Sequence, residues 1–129
     1  MPRAVIDASA ILAVLLREPG SDVVETYYAQ GIVSAVNLSE VAAKLCDLGM
    51  GAAEARDLLS ALGLEIRAFD ETQALAAGAL REVTRSRGLS LGDRACLALG
   101  IAEGVPVVTT DRNWEAVSTQ ARAEVVVIR

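Results

Sequence analysis

The chain has 129 residues, with 12 basic against 17 acidic side chains for a net charge of −5, and it contains no histidine. That balance argues against a surface that grips nucleic acid by bulk positive potential. The missing histidine removes Ser-His-Asp and Cys-His nucleophiles and histidine-paired cleavage of RNA through the 2′-hydroxyl.

In chain order, residues 4–6 read as a buried parallel strand, apolar on both faces, ending at Asp7 with Ser9 just beyond. A helix over 9–17 follows, with Ile11, Leu12, Leu15 and Leu16 on one face, stopped by Glu18-Pro19-Gly20. A second helix over 21–30 carries Tyr27 and Tyr28, and 32–35 is a strand. Asn37 opens a third helix containing Glu40, closed by Gly49 and Gly51. Residues 52–62 form a helix and 64–69 a strand. Asp70 then caps a long helix to about 87, with Gln73 placed as in a capping box and Gly78 suggesting a close helix contact. Ser90 opens a helix over 91–103, ended by Gly104 and Pro106. Residues 105–109 are a strand, 111–117 a turn and short helix, and 124–128 a last strand.

The hydrophobic content of 53% with only 3% aromatic calls for one domain with an aliphatic, alanine-rich core. A mean hydropathy of +0.39 suggests that a partner covers some apolar surface. The longest apolar run, 10–16, is far too short to span a bilayer, and Asp7 interrupts any signal-peptide core. Cys46 and Cys96 fit no metal or redox spacing and read as small buried hydrophobes in a reducing compartment, so the cytoplasm is expected.

Strands alternating with helices mean an α/β fold with a parallel sheet and right-handed crossovers. Asp7 ends the first strand and Asp111 follows the fourth. Glu40 and Asp93 lie in the first turns of helices joined by short loops to strands, which puts them over the same carboxyl edge. If the first and fourth strands are neighbours, Asp7 and Asp111 stand about 5 Å apart. Each acid also has an ordinary reading: Asp7 and Ser9 as helix caps, Glu40 and Asp93 in capping interactions with Asn37 and Ser90, and Asp111 as a turn former. Two carboxylates about 5 Å apart repel by roughly 3 kcal/mol at an effective dielectric near 20, against about 0.3–1 kcal/mol from a helix amino terminus. A converging cluster therefore needs a cation or raised pKa values. Oxygen-only ligands select Mg²⁺ or Mn²⁺. Setting those four acids aside leaves −1 of the net charge.

Val5-Ile6-Asp7-Ala8-Ser9, Asn37-Leu38-Ser39-Glu40-Val41, the run from Leu91 through Gly92, Asp93 and Arg94 to Leu99, and Val108-Thr109-Thr110-Asp111-Arg112-Asn113-Trp114 resemble, in order, the four acidic motifs of PIN-domain nucleases. The closest resemblance is to VapC-type toxins of bacterial toxin–antitoxin pairs. It implies a PIN-like three-layer α/β/α fold with a central five-stranded parallel sheet. It further implies Mg²⁺- or Mn²⁺-dependent endoribonuclease activity on an RNA substrate, a homodimer, and inhibition by a VapB-type antitoxin. Carried over, Asp7, Glu40, Asp93 and Asp111 are the metal-binding and catalytic acids, and Gly92 and Arg94 belong to one subgroup's motif. Ser9, Thr109 and Thr110 are expected to donate hydroxyls to the carboxylates or to water. Arg94 and Arg112, beside two of the acids, are candidates to position phosphate. The expected reaction is hydrolysis by a metal-activated water, leaving a 5′-phosphate. Competing readings are a receiver-like phosphoacceptor module, a PIN-domain RNA-processing or RNA-binding protein that is not a toxin, and a catalytically dead binding domain.

Overall fold

Ala4, Val5 and Ile6 are fully buried, as a strand apolar on both faces requires. They form β1 (Ala4–Ile6) at the centre of the sheet in a computed structural model that describes residues 3–128. β2 (Gly31–Ser34) and β3 (Glu65–Arg67) lie on one side of β1, and β4 (Val107–Thr109) and β5 (Val125–Val127) on the other, in the order β3-β2-β1-β4-β5. All four pairings are parallel. Ala4 and Ile6 face one apolar cluster with Ile11, Val24, Val33, Val41 and Leu45. Val5 faces the other, with Ile32, Leu97, Val107, Trp114 and Val117. The first cluster is covered by α1 (Ala8–Leu15), α2 (Ser21–Glu25), α3 (Ala35–Asp47) and α4 (Ala52–Ala61). The second is covered chiefly by α7 (Leu91–Glu103) and α8 (Glu115–Ala121). The result is three layers, α/β/α. No helix among the described residues is long and apolar enough to cross a membrane.

Val5 pairs with Val107 and Ile6 with Val108, so the first and fourth strands are neighbours as expected. The chain runs outward from β1 to β3 and then returns to the other side of β1. The crevice between β1 and β4 is therefore the switch point of the sheet, where open α/β folds bind ligands.

Local chemistry moved several boundaries. The helix over 21–30 stops at Glu25. Val23, Val24 and Thr26 are β-branched, and the Thr26 hydroxyl bonds back to Val23 O at 2.6 Å. A short 3₁₀ turn (Tyr28–Gln30) then feeds β2 at Gly31, where a Cβ would sit 2.7 Å from Ile6 Cδ1 and 2.8 Å from Leu64 Cδ2. The long helix over 70–87 divides into α5 (Glu71–Ala79), α6 (Arg81–Thr84) and a 3₁₀ turn, with the Thr84 hydroxyl bonding back to Leu80 O at 2.8 Å. Gly78 makes no close helix contact: nothing lies within 4 Å of a Cβ there. α3 begins at Ala35 and is capped by Ser34, so Asn37 is inside the helix. Cys96 is buried as expected, but Cys46 is exposed. Tyr27 and Tyr28 are half-buried against the first cluster, and burial pushes the Tyr28 hydroxyl up to about 12.

Candidate active site

Asp7 leaves β1 into the crevice and is 4% exposed. Its Oδ2 accepts from the Ser9 hydroxyl at 2.6 Å, the Thr109 hydroxyl at 3.0 Å and, more weakly, the Ser9 backbone N–H at 3.4 Å. The same hydroxyls accept in turn. Thr110 N–H donates to Ser9 Oγ at 3.1 Å, and Asp111 N–H donates to Thr109 Oγ1 at 3.1 Å. This chain of bonds ties the end of β1 to the end of β4. Burial still dominates and lifts the Asp7 carboxyl to about 6, with Asp93 adding to the rise and the two hydroxyls working against it.

The other acids are each held by one oxygen. Asp93 completes a capping box, its Oδ2 accepting from Ser90 N–H at 2.9 Å while Asp93 N–H donates to Ser90 Oγ at 3.2 Å. Its pKa is raised, first by burial and also by the charge of Asp111, with Ser90 and Arg94 opposing. Asp111 caps a 3₁₀ turn (Arg112–Trp114) through Oδ1, which accepts from Asn113 N–H at 2.9 Å. Glu40, exposed in the second turn of α3 instead of the first, accepts at Oε1 from the Asn37 side-chain amide at 2.8 Å. For Asp7, Asp93 and Asp111 the capping and clustering readings are thus compatible, whereas Glu40 bonds to an Asn37 that lies inside the helix. Each local bond pins a carboxylate through one oxygen and leaves the other out of that bond.

All four acids, with Ala8, Ser9, Leu12 and Lys44, line one open hollow of about 310 Å³ at the switch point. Cys96 lies buried beneath, its thiol pushed well up by burial and by the charges of Asp7, Asp93 and Glu40. The sequence model of the PIN domain matches residues 4–120, which include all four acids. The chain belongs to the PIN domain family. Solved structures share its architecture. VapBC2 from Rickettsia felis, bound to a DNA fragment from its promoter, superposes with a TM-score of 0.75 at 16% identity over 98% of both chains. DNA-bound VapBC from Salmonella typhimurium gives 0.73 at 15% identity, again over 98% of both. VapBC-5 from Mycobacterium tuberculosis, a member of the VapBC family of toxin-antitoxin systems, gives 0.65 at 18% over 99% of this chain and 100% of that one. At these identities the likeness is one of fold. No curated protein sequence matches the chain.

The donor set of this PIN domain is all oxygen, and the raised pKa values of Asp7 and Asp93 mark charge that a hard cation would offset. Among the described residues, however, no group of three acids or thiols stands at metal-holding distance. The acids fit a divalent ion by chemistry and by their common hollow. Drawing them around one ion takes side-chain rotation.

Two residues of the PIN domain's site went unseen in the sequence. Lys44, the only lysine, lies four residues after Glu40 on the same helical face and reaches the hollow; that spacing was the available signal. Asn37 looked like a cap and is instead a buried strut. Its side chain spans Glu40 and the Gly92 carbonyl, the latter at 3.0 Å. Arg94 turns toward α5, where its Nη1 donates to Ala77 O at 2.9 Å. Arg112 is exposed beside Asp111.

Proposed function

We propose that this PIN domain is a metal-dependent endoribonuclease acting as the VapC-type toxin of a toxin–antitoxin pair. The observation that carries the reading is the meeting of Asp7, Glu40, Asp93 and Asp111, drawn from four separate segments, in one hollow at the switch point. These four would hold Mg²⁺ or Mn²⁺, which when bound supplies Lewis-acid activation of water and offsets charge on the leaving 3′-oxygen. The protein's own groups do the rest. Ser9 and Thr109 fix the orientation of the Asp7 carboxylate and keep its Oδ1 outside their bonds. Thr110 acts through its backbone N–H on Ser9. Lys44 places a positive charge in the hollow, suited to a phosphate of the RNA backbone. Arg94 braces α7 against α5 and tempers Asp93 by its charge.

Membership of the PIN family sets the receiver-like reading aside. For the antitoxin, an apolar hollow of about 390 Å³ lined by Leu15, Leu16, Leu45, Leu48, Met50 and Leu58 suits one face of an amphipathic helix, and Leu16 and Leu48 are exposed there. A homodimer and a cytoplasmic location belong to the same reading, and a monomer by scattering at micromolar concentration would count against the dimer.

The test is a panel of defined RNAs incubated with Mg²⁺, Mn²⁺ or chelator, using the parent and Asp93→Asn. Cleavage that leaves 5′-phosphate ends and disappears with chelator and in the variant is expected. Products with 2′,3′-cyclic phosphate ends, or equal cleavage by the variant, would contradict the reading.

A further inference from the structure

Glu40 differs from the other three acids in length. Its extra methylene gives the carboxylate another rotatable bond, so fixing it loses more conformational freedom than fixing an aspartate. Two independent features converge on that carboxylate. The first is Asn37, fully buried and relieved of capping by Ser34. Its Nδ2 donates to Glu40 Oε1 at 2.8 Å and to Gly92 O at 3.0 Å, joining α3 to α7. Its Oδ1 is buried without a hydrogen-bond partner, a burden on stability that an apolar side chain would not carry. The second is Gly92, in the first turn of α7. No positive φ requires glycine there, and glycine is a poor helix former. What it provides is space: a Cβ on Gly92 would lie 2.2 Å from Glu40 Oε1 and 2.4 Å from both Cδ and Oε2. The carboxylate rests against a bare Cα on one side and is bonded to an amide on the other.

We infer that Asn37 and Gly92 are positioning residues that together seat the Glu40 carboxylate for cation binding, an inference that rests on the nuclease reading above. Neither touches substrate; both act through Glu40. A seat of this kind is the outer support that orients a ligating carboxylate, and loss of such support lowers metal affinity by about 10–100-fold.

Gly92→Ala is the sharpest probe, because the added methyl improves helix propensity while displacing only the mobile end of a flexible side chain. Gly78→Ala is the control, since nothing lies within 4 Å of its added methyl. The measurements are Mn²⁺ affinity by calorimetry, melting temperature, and the NMR signals and exchange of the Asn37 side-chain amide. Gly92→Ala is expected to keep or raise the melting temperature, weaken Mn²⁺ binding by about 10-fold or more, and speed exchange of the Asn37 amide. Gly78→Ala is expected to bind Mn²⁺ as the parent does. Asn37→Leu should weaken Mn²⁺ binding in the same way; if it does not fold, Gly92→Ala decides alone. Parental affinity in Gly92→Ala, or an affinity loss that merely follows a fall in melting temperature, overturns the seat while leaving the nuclease reading in place. A parent that binds no Mn²⁺ and cleaves no RNA removes both.

Discussion

At one edge of the sheet acids meet bases, and at the other they meet one another. Near the amino-terminal ends of the strands, Arg3 pairs with Glu65 and Glu103, and Arg67, from the far end of β3, reaches back to pair with the same two. These side chains are part-exposed, and Arg67 in return holds Glu103 below the usual carboxylate range. At the carboxyl ends, Asp7, Glu40, Asp93 and Asp111 share a hollow in which Lys44 is the cationic lining residue. The first arrangement is nearly neutral for stability, as exposed ion pairs are. The second carries a burden in the free protein, and groups whose pKa values are pushed up in a cleft are candidates for chemistry. The contrast shows which charges serve the fold and which are kept despite it.

The largest effect expected from breaking this contrast is on activity. Asp93→Asn should lower metal-dependent RNA cleavage by at least ~100-fold, beyond what loss of an outer-shell support produces. Circular dichroism should show the fold unchanged, because an asparagine oxygen can still accept from Ser90 N–H.

The next effect is on stability and has the opposite sign. An unfolded aspartate ionises at about 4, and folded Asp7 at about 6. Between those values the native chain holds a proton that the unfolded chain has lost, so stability falls as pH rises through that window. Above it the deficit from Asp7 reaches about 3 kcal/mol. Asp7→Asn should therefore stabilise the metal-free protein by up to that amount at pH 7.5, and by little at pH 4, in urea melts. Saturating Mn²⁺ should stabilise the parent and not the variant, by about 2.7 kcal/mol at 100 times the dissociation constant.

Thr109→Val should come third. It keeps the shape of a fully buried residue while removing a donor to Asp7 and the acceptor for Asp111 N–H. A loss of about 2 kcal/mol in the same melts is expected. The smallest effect belongs to the paired edge, where Glu103→Gln should move the melting midpoint by no more than ~2 °C.

Much of this was legible in the residues because local signals agreed. α7 runs from Leu91 to Glu103 as read, since Ser90 caps it and Gly104, at φ +67, ends it. The buried strands announced themselves by continuous apolar runs, and the strand–helix order placed Asp7 and Asp111 at one edge. Legibility failed where a tertiary contact overrode a local preference. Ser34 outcompeted Asn37 as the cap because the chain turns directly from β2 into α3, which freed Asn37 for Glu40 and Gly92. The helix over 21–30 stopped beside Thr26 and α6 ended at Thr84, each hydroxyl bonding back to the preceding turn, while the break between α5 and α6 fell at Leu80. Arg94 sits next to Asp93 in sequence but points to Ala77, a direction no spacing rule supplies. Of the distances among the four acids, sequence supplies only the spacing expected of Asp7 and Asp111 on neighbouring strands. It places them at one edge but says nothing about which carboxylate oxygen each local cap engages.

The most direct test is diffraction from crystals grown with Mn²⁺, using the anomalous signal of the metal. The account predicts a peak in the hollow bounded by Asp7, Glu40, Asp93 and Asp111, with their bonded oxygens still held by Ser9, Asn37, Ser90 and Asn113 and their other oxygens turned to the ion. An ordered, fully resolved hollow with no anomalous peak at saturating Mn²⁺, or a peak held only elsewhere on the molecule, would contradict it.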